Sequence, residues 1–232
     1  MPLNESAPLY AVVPAAGVGK RMGADRPKQY LLLNDRTILS HTLSVLLSHP
    51  RIHKVIVALG PEDGYFDSLE EARHPRLIRV DGGRERSDSV RLALAAIEDE
   101  AAWALVHDAA RPCLHHDDID RLLAFPGDQG AILASPVRDT MKRAGADGTI
   151  DHTVPREALW HALTPQLFPA EALHQALVRG EQAGAVITDE ASAMEREGWH
   201  PALVAGRPDN IKITHPDDLR LAQLYLASRE AQ

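Results

Sequence analysis

Cysteine occurs once in 232 residues, at Cys113. That excludes an internal disulfide and suits a reducing compartment. No run approaches 18 apolar residues, and no charged leader with an apolar core opens the chain. The expectation is a cytoplasmic protein with no membrane partner, with Met1–Pro8 as a loose leader. Excess positive charge is also missing. The net charge is −8, so no broad field draws nucleic acid and any anion site has to be local. There is no H-E-x-x-H or C-x-x-C pattern to hold zinc, and no G-x-S-x-G elbow for a serine hydrolase. Internal repeats, low-complexity tracts and heptads are absent as well.

An apolar share of 44% is enough for a full core. Strand patterns at Leu9–Val13, Lys54–Leu59, Leu77–Val80, Trp103–His107 and Ala131–Ala134 are separated by helix patterns. The helices are expected at Ile38–Ser48, Glu62–Ala72, Asp88–Glu98 with Ser87 as N-cap, and His116–Leu123. Alternation of this kind predicts an α/β fold of three layers, a mostly parallel sheet covered by helices on both faces. The rhythm breaks after Pro136. Val137–Arg143 and Thr149–Val154 read as two extended, polar arms around a loose turn. They have too little apolar surface to join the core, and a lone hairpin is marginal. A protruding β-arm stabilised by a partner is the expectation.

Leu159–Leu163 then returns to the sheet. Helices follow at Pro169–Glu181 and at Asp189–Glu197, the latter introduced by Thr188. Strands are expected at Ala202–Ala205 and Asn210–Ile213. A final helix runs through Ser228, with Leu219, Ala222 and Leu226 inward. No composition shift marks a boundary, so residues 1–232 are read as one domain with an arm at about 137–156.

The stretch from Leu9 to Tyr30 organises the chain. A short apolar strand turns through Pro14, Ala15, Ala16, Gly17 and Gly19 into a loop with Lys20, Arg21, Arg26 and Lys28. Small residues let backbone N–H groups approach a phosphate closely. Arg21 offers a flat fork of donors, and Lys28 a compact charge. A dinucleotide fingerprint fails because Met22 occupies the last glycine position. A P-loop fails because no Gly-Lys-Ser/Thr stands at the required spacing. Gly17-Val18-Gly19-Lys20-Arg21-Met22 with Pro27-Lys28 instead resembles the signature loop of sugar nucleotidyltransferases.

In an open parallel sheet, ligands collect at the C-terminal ends of the strands. Asp81–Ser89, Asp108–Pro112, Lys212 and Thr214 all fall there. An acid at Asp108 suits hydroxyl groups or a hydrated Mg²⁺; a turn aspartate is the plainer alternative. His107 reads as the packed end of its strand, because no second ligand stands at metal spacing.

Further blocks extend the resemblance over nearly the whole chain. They are Val12–Gly17, Pro27–Tyr30, Gly82-Gly83 with Asp88-Ser89-Val90, His107–Pro112, Val137–Thr140, Leu163–Gln166, Thr188–Glu190 and Asn210–Lys212. In this order they resemble the 2-C-methyl-D-erythritol 4-phosphate cytidylyltransferase family of the non-mevalonate isoprenoid pathway. The resemblance implies a nucleotide-diphospho-sugar-transferase-like fold and a reaction of CTP with the methylerythritol phosphate. It implies that Pro14, Ala15, Ala16, Gly17 and Gly19 cradle the triphosphate. Arg21, Lys28 and Lys212 are the implied catalytic cations. Gly83, Arg84 and Ser89 lie at the cytosine and Ala109 at the nucleoside, with Arg84 basic where the family carries an acid. Asp108, Arg111, Thr164 and Thr188 hold the acceptor. Thr140 and Arg156 come from the neighbouring subunit of a homodimer. Mg²⁺ is held by phosphate oxygens rather than by side chains.

Two other readings stay open. One is a cytidylyltransferase for another polyol phosphate such as ribitol 5-phosphate. The other is a non-catalytic nucleotide-binding regulator on the same fold. Three cations around an α-phosphate argue against a mere binder.

Overall fold

Even and odd residues of the first strand serve two different cores. This follows from the period of two in a strand covered on both faces. The protein is described here from a computed structural model, which covers residues 3, 6–17, 26–125 and 127–230. Met1, Pro2, Asn4 and Glu5 of the expected leader at Met1–Pro8 lie outside the described residues, as do Gly19, Lys20, Arg21 and Met22.

In chain order the elements are β1 (Leu9–Ala15), β2 (Leu32–Leu33), β3 (Arg36–Thr37), α1 (Ile38–Ser48), β4 (Ile52–Leu59), β5 (Leu77–Asp81), α2 (Arg86–Leu94), β6 (Trp103–Val106) and α3 (His116–Leu123). There follow β7 (Ala131–Pro136), β8 (Met141–Ala144), β9 (Ile150–Val154), β10 (Trp160–Pro169), α4 (Ala170–Gln182), α5 (Glu190–Arg196), β11 (Ala202–Ala205) and α6 (Pro216–Glu230). Among the described residues, seven strands form one sheet in the order β11-β7-β10-β6-β1-β4-β5. Its pairs are parallel except those of β10, which runs antiparallel to both β6 and β7.

Leu9, Ala11 and Val13 of β1 pack with Leu39, Leu43 and Leu46 of α1 and with Ile119 and Leu122 of α3. Tyr10 and Val12 pack on the other face with Val90 of α2, Leu173 of α4 and Met194 of α5. The expected three layers are therefore present. Leu219, Ala222 and Leu226 of α6 join Leu33 and Ile38 in a smaller cluster beside the sheet. No helix among the described residues is long and apolar enough to cross a membrane.

Four local expectations are corrected. Glu62–Ala72 is two short 3₁₀ turns, Phe66–Ser68 and Glu70–Arg73, rather than a helix. The Asp63 carboxylate accepts the N–H groups of Tyr65 and Phe66 at 3.0 Å, a local bond that competes with helix formation. The helix expected at Asp88–Glu98 spans Arg86–Leu94, and its N-cap is Glu85, not Ser87. Glu85 N–H donates to Asp88 at 3.0 Å in a capping box. Asn210–Ile213 is no strand. Its polar groups bond to the loop after β6 and to β10, with Ile213 N–H donating to the Ala110 carbonyl and the Asn210 amide to the Thr164 carbonyl. The return at Leu159–Leu163 becomes the ten-residue β10, longer than expected because its second half also pairs with β6. The sequence reading also passed over the β2–β3 hairpin, whose turn is Asn34-Asp35, both at positive φ.

From β5 the chain crosses back over β4 and β1 to β6, so the order of strands reverses beside β1. The crevice at such a switch point is where an open α/β sheet binds its ligand. Residues after β1 and after β6 face each other there.

Candidate active site

Ala15 ends β1, and Ala16 and Gly17 continue from it without a side chain large enough to fill the crevice. A cleft of about 290 Å³ opens above them. Pro14, Ala15, Ala16, Gly17, Lys28, Gly83, Arg84, Ser89, Asp108, Ala109 and Lys212 line it. These predicted residues come from five separate stretches of the chain. Gly19 and Arg21 lie outside the described residues.

Each wall is pinned from beneath. Lys28 stands on a short 3₁₀ turn whose next residue, Gln29, donates to the Ala15 carbonyl at 2.7 Å. Lys28 Nζ donates to the Ile213 carbonyl at 2.9 Å, on the wall that carries Lys212. The Gly82-Gly83 turn presses on the first loop. A Cβ at Gly82 would lie 2.5 Å from the Ala16 Cβ, so only glycine fits. Gly83 N–H donates to Ser89 Oγ at 3.1 Å.

Asp108 is the centre of charge. Arg86 Nε reaches its Oδ1 at 2.9 Å; Lys212 Nζ at 2.9 Å and Arg111 Nε at 3.5 Å reach Oδ2. Burial would raise the carboxyl, but Arg86, Lys212 and Arg111 outweigh it and hold Asp108 far below the usual carboxylate range. Arg86 also forks onto Glu190, at 2.6 and 3.1 Å. Desolvation pulls the Arg86 guanidinium down, and Glu190 with Asp108 more than restores it.

Thr164 and Arg111 lie under the floor of the cleft rather than on its surface. Thr164 Oγ1 accepts Asp108 N–H at 3.1 Å and meets His107 Nδ1 at 3.0 Å. The other ring nitrogen of His107 faces the Arg111 carbonyl at 3.1 Å. A carbonyl only accepts, so Nε2 carries the proton and Nδ1 receives the Thr164 hydroxyl. Burial pushes the His107 pKa down to about 4, so the ring is neutral. His107 is thus a packed, hydrogen-bonded strand end, as its spacing suggested.

Three predicted residues stand elsewhere. The Thr188 hydroxyl is exposed and donates to Ser192 at 3.3 Å at the start of α5. Thr140 is exposed on the way into the β8–β9 arm, and Arg156 donates to the Arg138 carbonyl across that arm's base. This chain alone does not bring them to the cleft.

A cleft with this lining can seat a phosphate-bearing ligand. The model of the 2-C-methyl-D-erythritol 4-phosphate cytidylyltransferase family matches residues 9–228. The chain belongs to this family. A protein of that name from Shewanella amazonensis is 65% identical over 232 residues, covering 98% of this chain and 97% of its own. Another from Shewanella pealeana is 62% identical, covering 95% and 96%. Among solved structures, the Francisella tularensis protein of that name has a TM-score of 0.82 at 36% identity, covering 94% of this chain and all, 100%, of its own.

The sequence reading missed Arg86 and Glu190, the ion pair beside Asp108. Glu190 stood in a matching block without a role, and Arg86 sat unremarked between Glu85 and Ser87. Nothing local couples them across 104 positions. Through Arg86, Asp108 is tied to Glu190 at the start of α5.

His107 gives this site a pH signature. The unfolded chain protonates it near 6.5, the folded protein only near 4. Between those values the unfolded state binds the extra proton, so stability falls as pH is lowered. The full effect is about 3 kcal/mol. His107→Gln should flatten the slope of unfolding free energy against pH between 6.5 and 4, read by urea denaturation at each pH. An unchanged slope contradicts the assignment.

Proposed function

We propose that this chain transfers the cytidylyl group of CTP to 2-C-methyl-D-erythritol 4-phosphate, in isoprenoid biosynthesis. The products are 4-diphosphocytidyl-2-C-methyl-D-erythritol and pyrophosphate. The observation that carries the reading is that Lys28 and Lys212 line one cleft together with the backbone cradle at Ala15–Gly17, Lys28 being bonded to the segment that carries Lys212. A substrate phosphate oxygen attacks the α-phosphorus of CTP. The bond from that phosphorus to the bridging oxygen of the β-phosphate breaks, and pyrophosphate leaves. Two anions meet, so the work of the site is positioning and charge neutralisation. Lys28, with Arg21, neutralises the leaving and reacting phosphates, and Lys212 adds a second ammonium from the segment after β11. Gly83 and Ser89 meet the cytosine edge, with Arg84 at the rim. Ala109 supports the nucleoside. Asp108, set by Arg111 and Thr164, takes acceptor hydroxyls, and Thr188 lies on the acceptor side.

Magnesium is the expected cofactor. Asp108 is already engaged by cations, and no group of three or more His, Cys, Asp or Glu side chains gathers among the described residues. That donor set fits an ion held by the phosphates of CTP. When bound, such an ion neutralises the triphosphate. The working protein in this reading is a cytoplasmic homodimer of one-domain chains, with no nucleic-acid or membrane partner.

The test of the reaction is pyrophosphate release from CTP with a panel of polyol phosphates. The expected kcat/KM for 2-C-methyl-D-erythritol 4-phosphate exceeds that for ribitol 5-phosphate by about 100-fold or more. A reversed preference selects the ribitol reading. No release with any acceptor selects the non-catalytic one.

The arm supports a shared site. Residues 138–162 are exposed almost without interruption, and they include Met141, Ile150, Leu159 and Trp160. Cover for those apolar groups in a reciprocal pair would carry Thr140 and Arg156 to the partner's cleft. Complementation separates this from a site within one chain. Lys28→Ala and Arg156→Ala subunits, each inactive alone, should regain activity on exchange, because one site in each heterodimer then holds both residues. Verified exchange without recovery contradicts the shared site.

A further inference from the structure

Two loops carry the charged partners of the cleft. Residues 107–114 follow β6 and carry Asp108; residues 206–215 follow β11 and carry Lys212. Neither loop is part of a sheet ladder, so side chains and single backbone bonds fix their separation. Besides the Lys212–Asp108 pair itself, two crossings lie near the cleft. Ile213 N–H donates to the Ala110 carbonyl at 2.8 Å, and Arg111 Nη1 donates to the Asn210 carbonyl at 2.7 Å.

A third crossing lies behind it. Arg229, near the end of α6, donates from Nη1 to the Leu114 carbonyl at 3.1 Å and from Nη2 to the Cys113 carbonyl. The same Nη2 reaches Asp209 Oδ2 at 2.9 Å. One planar group thus grips both loops. Burial would raise the Asp209 carboxyl, but its bonds to Arg207 and Arg229 lower it on balance, so it stays ionised. The Asp209 carbonyl in turn accepts Ile211 N–H at 2.8 Å, a tight turn that delivers the chain directly to Lys212.

We propose that Arg229 is a positioning residue for the transfer reaction, fixing Lys212 Nζ relative to Asp108 through Asp209. The proposal rests on the reading of Lys212 as a cation that meets the reacting phosphate. Arg229 lines no part of the cleft and touches no substrate in that reading. The guanidinium fork is what the place requires, because it serves two carbonyls and a carboxylate in one plane. A lysine there supplies a single point charge. Docking of α6 does not depend on Arg229. Leu219, Ala222 and Leu226 seat the helix, and Asp218 receives the N–H groups of Thr214 and His215 at its start.

The experiment is a kinetic cycle on the full-length protein. Wild type, Arg229→Met, Lys212→Ala and the double variant are compared in kcat and in KM for CTP, with thermal melts alongside. Methionine keeps the apolar stem and removes the fork. Arg229→Met should fold and lose about tenfold to a hundredfold in kcat, with a smaller change in KM, as displacement of a reacting group by about 1 Å does. Arg229→Lys should recover only part of the loss. In the Lys212→Ala background, Arg229→Met should cost nothing more, because the group that it positions is gone. A lowered melting temperature with intact kcat overturns the proposal and leaves Arg229 a structural residue. Losses that multiply in the double variant also overturn it, while Lys212 keeps its role. If Lys212→Ala alone leaves kcat intact, the reading of Lys212 falls and this proposal with it. Should Arg229→Met fail to fold, Asp209→Ala removes the acceptor of the same link from the other side and is held to the same outcomes.

Discussion

The Asp108 side chain is only 9% exposed, and among the described residues three cations hold its carboxylate. An ionised carboxylate in such a place is costly without partners. Here the partners come from the start of α2, from its own loop and from the segment after β11. Their attraction to one buried charge therefore draws three regions of the chain to the end of β6. Breaking one link would leave buried charge uncompensated, which is why the arrangement is stiff. The same arrangement supplies a locally positive cleft in a chain whose net charge is −8.

That local positive charge suits a reaction between two phosphate-bearing molecules. A diffuse basic surface would attract polyanions of every kind. A few cations confined to the crevice act only on groups that enter it. Lys212 is engaged with Asp108, and Lys28 with a carbonyl of the Lys212 segment, so both ammonium groups are held in place before any substrate arrives. Preorganised charge of this kind costs little reorganisation when phosphate charge shifts in the transition state.

The sheet and its covering helices were legible because their signal is local. Val12-Val13, Val55-Ile56-Val57 and Leu105-Val106 are apolar runs of strand length, and Leu39, Leu43 and Leu46 recur at helical spacing. The strand-end loops were legible by position and by resemblance. What could not be read locally was long-range pairing. Arg86 meets Glu190 across 104 positions and Arg229 meets Leu114 across 115, and neither pair leaves a periodic trace. Asn210–Ile213 carried a strand-like pattern, but its hydrogen bonds go to Ala110 in the loop after β6 and to Thr164 within β10. The helix expected at Glu62–Ala72 yielded to the side chain of Asp63, a competition invisible to apolar spacing.

The ionisation of Asp108 itself tests the account most directly. With aspartate labelled at the carboxyl carbon, NMR follows each side chain through an acid titration, and Asp108→Asn identifies the resonance. The Asp108 signal should stay flat through the ordinary range near 3.8 until the protein unfolds. A carboxyl that titrates at or above that value would mean that the three cations do not hold it, and the organising charge of the site would be lost.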